Sequence, residues 1–183
     1  MLQKQFLAGD DSAFASIYKL YAKGLYAFGL SLHVATELIE DAIQDVFIEI
    51  YTNKPLLKNV SNLKSYLMMT FRNRLFYLVK CSENCVEMDV NFADYESEEL
   101  DMQTILMEKE EEDKKESIVK LLLSELNANQ REALYHRYVD DMSYMDIALI
   151  MNINYQSAKN LVHRAITKLK SVATSVHSPP PIF

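Results

Sequence analysis

The sequence predicts an all-α fold: two small helical domains, an N-terminal helical bundle and a C-terminal helix-turn-helix, joined by an acidic linker. Three observations predict it. Among 183 residues there are only 3 Gly and 4 Pro, three of the prolines adjacent at Pro179–Pro181, too few turn-formers for a sandwich or barrel. Apolar residues recur at spacings of three and four over most of the chain, the period of a helix that buries one face. The excess acid is confined to one stretch: residues 81–117 carry fourteen Asp/Glu against three Lys/Arg, while 1–80 and 118–183 are each net +2.

The first expected helix starts at Asp10 or Asp11, either of which can accept from the free amides of a first turn. Phe14, Ile17, Tyr18, Tyr21, Leu25, Phe28 and Leu32 then share one face. A second helix runs from about Glu37 to Tyr51 behind a Thr36 cap, burying Ile39, Ile43, Val46, Phe47 and Ile50 and leaving Glu40, Asp41, Gln44, Asp45 and Glu49 outside. Asn53 and Pro55 mark a break over Tyr51–Val60. A third helix begins near Ser61 or Asn62 and continues through Val79, with Leu63, Tyr66, Leu67, Phe71, Leu75 and Leu78 inward. Three amphipathic helices share one small core, so residues 1–80 form a domain.

Residues 81–116 form the linker. The second domain spans 117–171. Ile118, Leu121, Leu122 and Leu126 make one stripe, and Asn127 caps a helix reaching Tyr138. Ser143-Tyr144-Met145-Asp146 reads as a capping box, followed by inward Ile147, Ala148, Ile150 and Met151. Asn152 suits the left-handed position after that helix and Asn154 suits the next cap. The last helix runs from Tyr155 to about Ser171 on Ala158, Leu161, Val162, Ala165 and Leu169, and 172–183 is expected to be a flexible tail. Two short helices, a tight turn and a longer helix make a helix-turn-helix.

Two stretches lack acid altogether. Ile50–Ser82 holds Lys54, Lys58, Lys64, Arg72, Arg74 and Lys80; Ile147–Phe183 holds Lys159, Arg164, Lys168 and Lys170. In a chain of net charge -7, phosphate neutralisation is the simplest demand that produces such asymmetry. Gln156, Ser157, Lys159, Asn160, His163 and Arg164 project from the last helix away from its apolar stripe, and such side chains reach base edges in a major groove. Tyr51, Tyr66, Phe71, Phe76 and Tyr77 interleave with the first basic stretch, a pattern suited to unstacked bases, although core packing competes for each ring and most strongly for Tyr66 and Phe71. Glu40, Asp41, Gln44 and Asp45 would repel DNA and suit a basic protein surface or plain solvation.

Neither a phosphate-cradling glycine loop nor a nucleophile elbow occurs, so an enzyme is not expected. Neither cofactor nor metal is expected: Cys81 and Cys85 lack nearby residues to complete a zinc set and read as free thiols. No run approaches a membrane span and Met1–Asp11 lacks the zones of a signal peptide, which predicts a cytoplasmic protein without direct membrane insertion.

The ordered set Asp41-Ala-Ile-Gln44-Asp45-Val-Phe47, Leu63-Lys-Ser-Tyr66-Leu67 and Arg72-Asn73 resembles region two of extracytoplasmic-function sigma factors. Leu126, Gln130-Arg131-Glu132-Ala133, Ser143 to Ala148, His163-Arg164-Ala165 and Leu169 resemble their region four. The resemblance covers about 6–80 and 118–170. It implies a dissociable sigma subunit that directs RNA polymerase to promoters. Glu40, Asp41, Gln44 and Asp45 would dock on the clamp helices of the core enzyme. Lys54, Lys58, Asn62, Lys64, Arg72, Asn73 and Arg74 would lie along a melted minus-ten element, with the loop Thr52–Asn62 receiving a flipped base. Gln156, Ser157, Lys159, Asn160, His163 and Arg164 would read the minus-thirty-five element, while the same domain contacts the polymerase flap. The resemblance also implies an anti-sigma protein, often membrane-anchored, that holds the chain inactive. The sequence departs from the family pattern at Tyr66 (usually Trp), Asn127 (usually Pro), Asp141 and Asn152 (usually Gly) and Ser157-Ala158 (usually Thr-Val). A stand-alone helix-turn-helix regulator and a helical adaptor without nucleic acid are the rival readings.

Overall fold

The computed structural model describes residues 2–83 and 123–177, and these form helices throughout. Helix α1 spans Leu2–Leu7, α2 Asp11–Ser31, α3 Thr36–Thr52 and α4 Leu63–Glu83, with a 3₁₀ turn at Lys54–Asn59 between α3 and α4. In the second described stretch come α5 (Ala128–Leu134), a π-helical continuation (Tyr135–Val139), α6 (Tyr144–Ile150) and α7 (Tyr155–His177). Backbone contacts divide the described residues into two units, one of 2–83 with 145–154, the other of 123–144 with 155–177.

The expected capping of α2 is present. Asp10 keeps extended backbone and its carboxylate accepts from Ser12 and Ala13, which holds its pKa below the usual value. Ile17, Leu25 and Phe28 are buried as expected, whereas Tyr18 is exposed. Gly29 is the point of closest approach. A Cβ there would lie 2.8–2.9 Å from three side-chain carbons of Ile39 on α3, so only glycine lets these helices close. All five expected inward residues of α3 are buried. The Thr36 cap is not seen: α3 starts one residue earlier, Ala35 takes the cap position, and the Thr36 hydroxyl bonds the Glu37 carboxylate.

Asn62 starts α4 by accepting from the Ser65 amide at 3.3 Å. Leu63, Leu67, Phe71 and Leu75 are buried as expected, Tyr66 and Leu78 only half-buried, and Met68 and Ser65 join the core. α1 was not anticipated. It is held by Phe6, fully buried against Phe14 with ring centroids 5.2 Å apart. Within the first unit, the α6 carboxylate of Asp146 accepts from Ser65 Oγ at 2.6 Å and Asn62 Nδ2 at 3.0 Å. Ten residues of the expected 117–171 domain, Met145–Asn154, thereby group with the first unit.

In the second unit Asn127 caps α5 in a reciprocal box with Gln130. The expected single helix to Tyr138 instead changes to π geometry after Leu134, with the Asp140 amide reaching back to the Tyr135 carbonyl. α7 runs to His177, six residues beyond the expected Ser171, so 172–177 is helix rather than tail. Residues 81–83 of the expected 81–116 linker belong to α4; the rest of that stretch, with Cys85, lies outside the described residues, as do the stripe residues Ile118, Leu121 and Leu122 and residues 178–183.

Candidate nucleic-acid interface

The final helix presents the clearest polar face. Ala158, Val162 and Ala165 are buried, while Gln156, Ser157, Lys159, Asn160, His163 and Arg164 are all exposed, as a period of 3.6 demands. Gln156 Nε2 donates to Asn160 Oδ1 at 3.0 Å, joining two side chains expected to reach base edges. The turn preceding this helix is built by Asn152. Its φ is +53°, its amide donates to Leu149 O and the Ile153 amide donates to Ala148 O, the paired bonds that end a helix on a left-handed residue. Asp141 has φ +52°, so Asp141 and Asn152 both take the left-handed conformation that glycine adopts most readily. Further along α7, Lys168 Nζ donates to the Glu125 carbonyl and is thus occupied within its own unit.

On α3, Glu40, Asp41 and Gln44 are exposed, but Asp45 is engaged. Arg74 Nε donates to Asp45 Oδ2 at 2.7 Å and Nη2 stands 2.6 Å from the same oxygen. Sequence reasoning assigned these two residues to different partners; the structure pairs them. Beside the acidic residues an open groove of about 830 Å³ runs between α2 and α3, lined by Phe14, Tyr18, Tyr26, Ile43 and Phe47, with Glu40 and Gln44 at its edge.

Three basic residues of the first unit, Lys54, Arg72 and Arg74, lie over aromatic rings. Lys54 Nζ lies 4.7 Å from the Phe6 centroid, 5.1 Å from that of Tyr51 and 3.8 Å from Asp11 Oδ1. Arg72 lies 4.5 Å over Phe76 and Arg74 5.2 Å over Tyr77. Lys58 and Asn73 are exposed, Lys64 is half-buried, and Asn62 combines its helix-capping role with the bond to Asp146. Of the five interleaved rings, Phe71 is buried and belongs to the core, while Tyr51 and Tyr77 are exposed. Tyr77 has its pKa raised, first by a hydrogen bond with the exposed free thiol of Cys81.

One cluster escaped sequence reasoning. His136 is wholly buried between Glu132 and Asp140, its Nδ1 3.1 Å from Asp140 Oδ2 and its Nε2 3.6 Å from Glu132 Oε1. Burial opposes the imidazolium, but the hydrogen bond to Asp140 and the nearby Glu132 carboxylate outweigh it and raise the pKa above its ordinary value. The three residues are spaced i, i+4, i+8, a signal that was available. Among the described residues no group of three or more His, Cys, Asp or Glu is arranged to hold a metal ion.

Residues 117–169 match the family model for sigma-70, region 4. The chain is 28% identical over 156 residues to the ECF RNA polymerase sigma factor SigM of Bacillus subtilis (strain 168), covering 85% of this chain and 92% of that protein. It is 24% identical over 175 residues to SigW, an ECF RNA polymerase sigma factor of the same organism, covering 91% and 92%. Two solved structures share the fold. CnrH in complex with the cytosolic domain of CnrY superposes with a TM-score of 0.62 at 15% identity, over 95% of this chain and 96% of that one. The sigma factor RpoE in complex with the anti-sigma factor NepR from Bartonella quintana superposes with a TM-score of 0.59 at 22% identity, over 88% and 96%. Residues 117–169 thus carry a sigma-70 region 4 domain, and over most of its length the chain is similar to two ECF RNA polymerase sigma factors.

Proposed function

We propose that this chain directs core RNA polymerase to promoters, reading two elements and melting DNA, and then dissociates. The observation that carries the proposal is the exposed polar face of α7 behind the Asn152 turn, on a chain whose relatives are RNA polymerase sigma factors. Residues 117–171 form the module for the minus-thirty-five element, contacted by Gln156, Ser157, Lys159, Asn160, His163 and Arg164, and the same module meets the polymerase flap. Residues 1–80 form the module for core docking and the minus-ten element, with 81–116 as the linker. Glu40, Asp41, Gln44 and Asp45, beside the apolar groove, meet basic residues of the clamp helices, where opposite charge steers the encounter. Lys54, Lys58, Asn62, Lys64, Arg72, Asn73 and Arg74 follow the opened strand, and the loop Thr52–Asn62, which contains the Lys54–Asn59 turn, receives one extruded base, a step costing a few kcal/mol.

The polymerase makes the phosphodiester bond; this chain supplies recognition and needs no cofactor. An anti-sigma protein is the third partner, the class of protein with which RpoE of Bartonella quintana was solved. Among the described residues no helix is long and apolar enough to cross a membrane, and we place the chain in the cytoplasm, where an anti-sigma partner can hold it at the inner membrane face.

Core-dependent transcription from a promoter library tests the proposal. Products that require this chain support it. Tight duplex binding without polymerase would mean a stand-alone regulator, and no nucleic-acid binding at low salt, with or without core, would mean an adaptor.

A further inference from the structure

We infer that α1 is the positioning element of the base-reading turn, acting through Gln3. The inference rests on the reading, made above, that the segment around Lys54–Asn59 receives an extruded base. Gln3 Nε2 donates to the Leu57 carbonyl at 2.7 Å and to the Val60 carbonyl at 2.9 Å, more than fifty residues away in the chain. A carboxamide nitrogen has two hydrogens, so one side chain ties two carbonyls at the end of the 3₁₀ turn, that of Leu57, which also accepts from the Val60 amide, and that of Val60. The front of the same turn is fixed by the same helix: Lys54 Nζ sits over the fully buried ring of Phe6. Beneath both ties, Leu57 is fully buried.

The turn is therefore anchored at both ends and at its centre, and Leu56, Lys58 and Asn59 are left facing solvent. Rejecting a wrong base requires groups that cannot move to accommodate it, so a rigid turn discriminates where a loose one merely binds. Gln3 touches no base in this arrangement. It acts through the backbone of Leu57 and Val60, as a positioning residue.

The test uses the full chain, tagged at its C-terminus, with core polymerase. Transcription is measured from a reference promoter, from templates with single substitutions in the minus-ten element, and from templates substituted in the minus-thirty-five element. Gln3→Met keeps side-chain length and removes both donors. It should lower discrimination against minus-ten substitutions about five-fold, the factor that one net hydrogen bond controls, and leave minus-thirty-five discrimination unchanged. Gln3→Glu, which sets a carboxylate against two carbonyl oxygens, should lower it further. A purely structural role would depress all templates in proportion; that result, or unaltered minus-ten discrimination in both variants, overturns the inference. If the unsubstituted chain gives no core-dependent transcript, the proposed function itself fails and this inference falls with it.

Discussion

The pairing of Asp45 with Arg74 makes the sharpest prediction, because the proposed function needs each of them for a different partner. Their side chains are 40% and 39% exposed, so solvent screens the attraction, and both short contacts fall on one carboxylate oxygen. Such a pair couples by about 0.5–1 kcal/mol, which corresponds to a factor of about two to five in any equilibrium that must break it. A polymerase base approaching Asp45 must compete with Arg74. Arg74→Gln should therefore tighten core binding by up to about five-fold while weakening binding to the melted strand, and Asp45→Asn should weaken core binding. Urea unfolding of both single variants and the double variant isolates the pair energy, and repeating the cycle in 1 M salt should shrink it. A coupling energy of zero, or an Arg74→Gln variant that loses core affinity as severely as Asp45→Asn, would refute the competition.

Three further expectations follow from particular contacts. Gly29→Ala should destabilise the first unit by about 1–2 kcal/mol in urea unfolding, since the added methyl meets the buried Ile39 and the gain in helix propensity offsets only part of the strain; an unchanged midpoint would show that Ile39 can yield. His136 is stabilised in its protonated form by Asp140 and Glu132 despite burial, with Tyr135 alongside, so its contribution is complete below pH 6.5 and is lost as pH rises through the raised value. Thermal unfolding should accordingly show the gap between the native chain and His136→Gln narrowing toward alkaline pH, and a gap that widens would reverse the sign of the shift. Arg164→Ala should weaken minus-thirty-five duplex binding by holoenzyme and reduce its salt slope by about one; if both stay constant, Arg164 touches no phosphate.

Much of the fold was legible because the signals were local. The period of α3 named Ile39, Ile43, Val46, Phe47 and Ile50, and each is buried because a helix with one apolar stripe has one way to turn it inward. Asp10 and Asn127 were readable as caps, and Asn152 as a helix stop, because short polar side chains satisfy end groups or tolerate positive φ within a few residues. The exposed face of α7 was readable for the same reason. α1 was not. A six-residue helix carries less than two turns of pattern, and what holds it, the Phe6 ring and the Gln3 carboxamide, acts on residues far along the chain. α7 runs past Ser171 because the prolines of the tail begin only at Pro179, and neither Gly nor Pro occurs between Tyr155 and His177.

Pairwise chemistry is the part that periodicity cannot supply. Asp45 and Arg74 lie on different helices, and each, taken alone, suits the partner its neighbours suggest: acid among Glu40, Asp41 and Gln44, base among Arg72 and Asn73. Their meeting follows from the packing of α3 on α4, which sets the acidic residues of α3 directly beside the basic residues of α4. At the edge where they adjoin, Arg74 and Asp45 exchange part of their hydration for a charge-assisted hydrogen bond. Under the proposed function that edge lies between core docking and strand binding. Whatever engages one member of the pair changes the availability of the other, so the two binding events are thermodynamically linked by the worth of one half-exposed salt bridge.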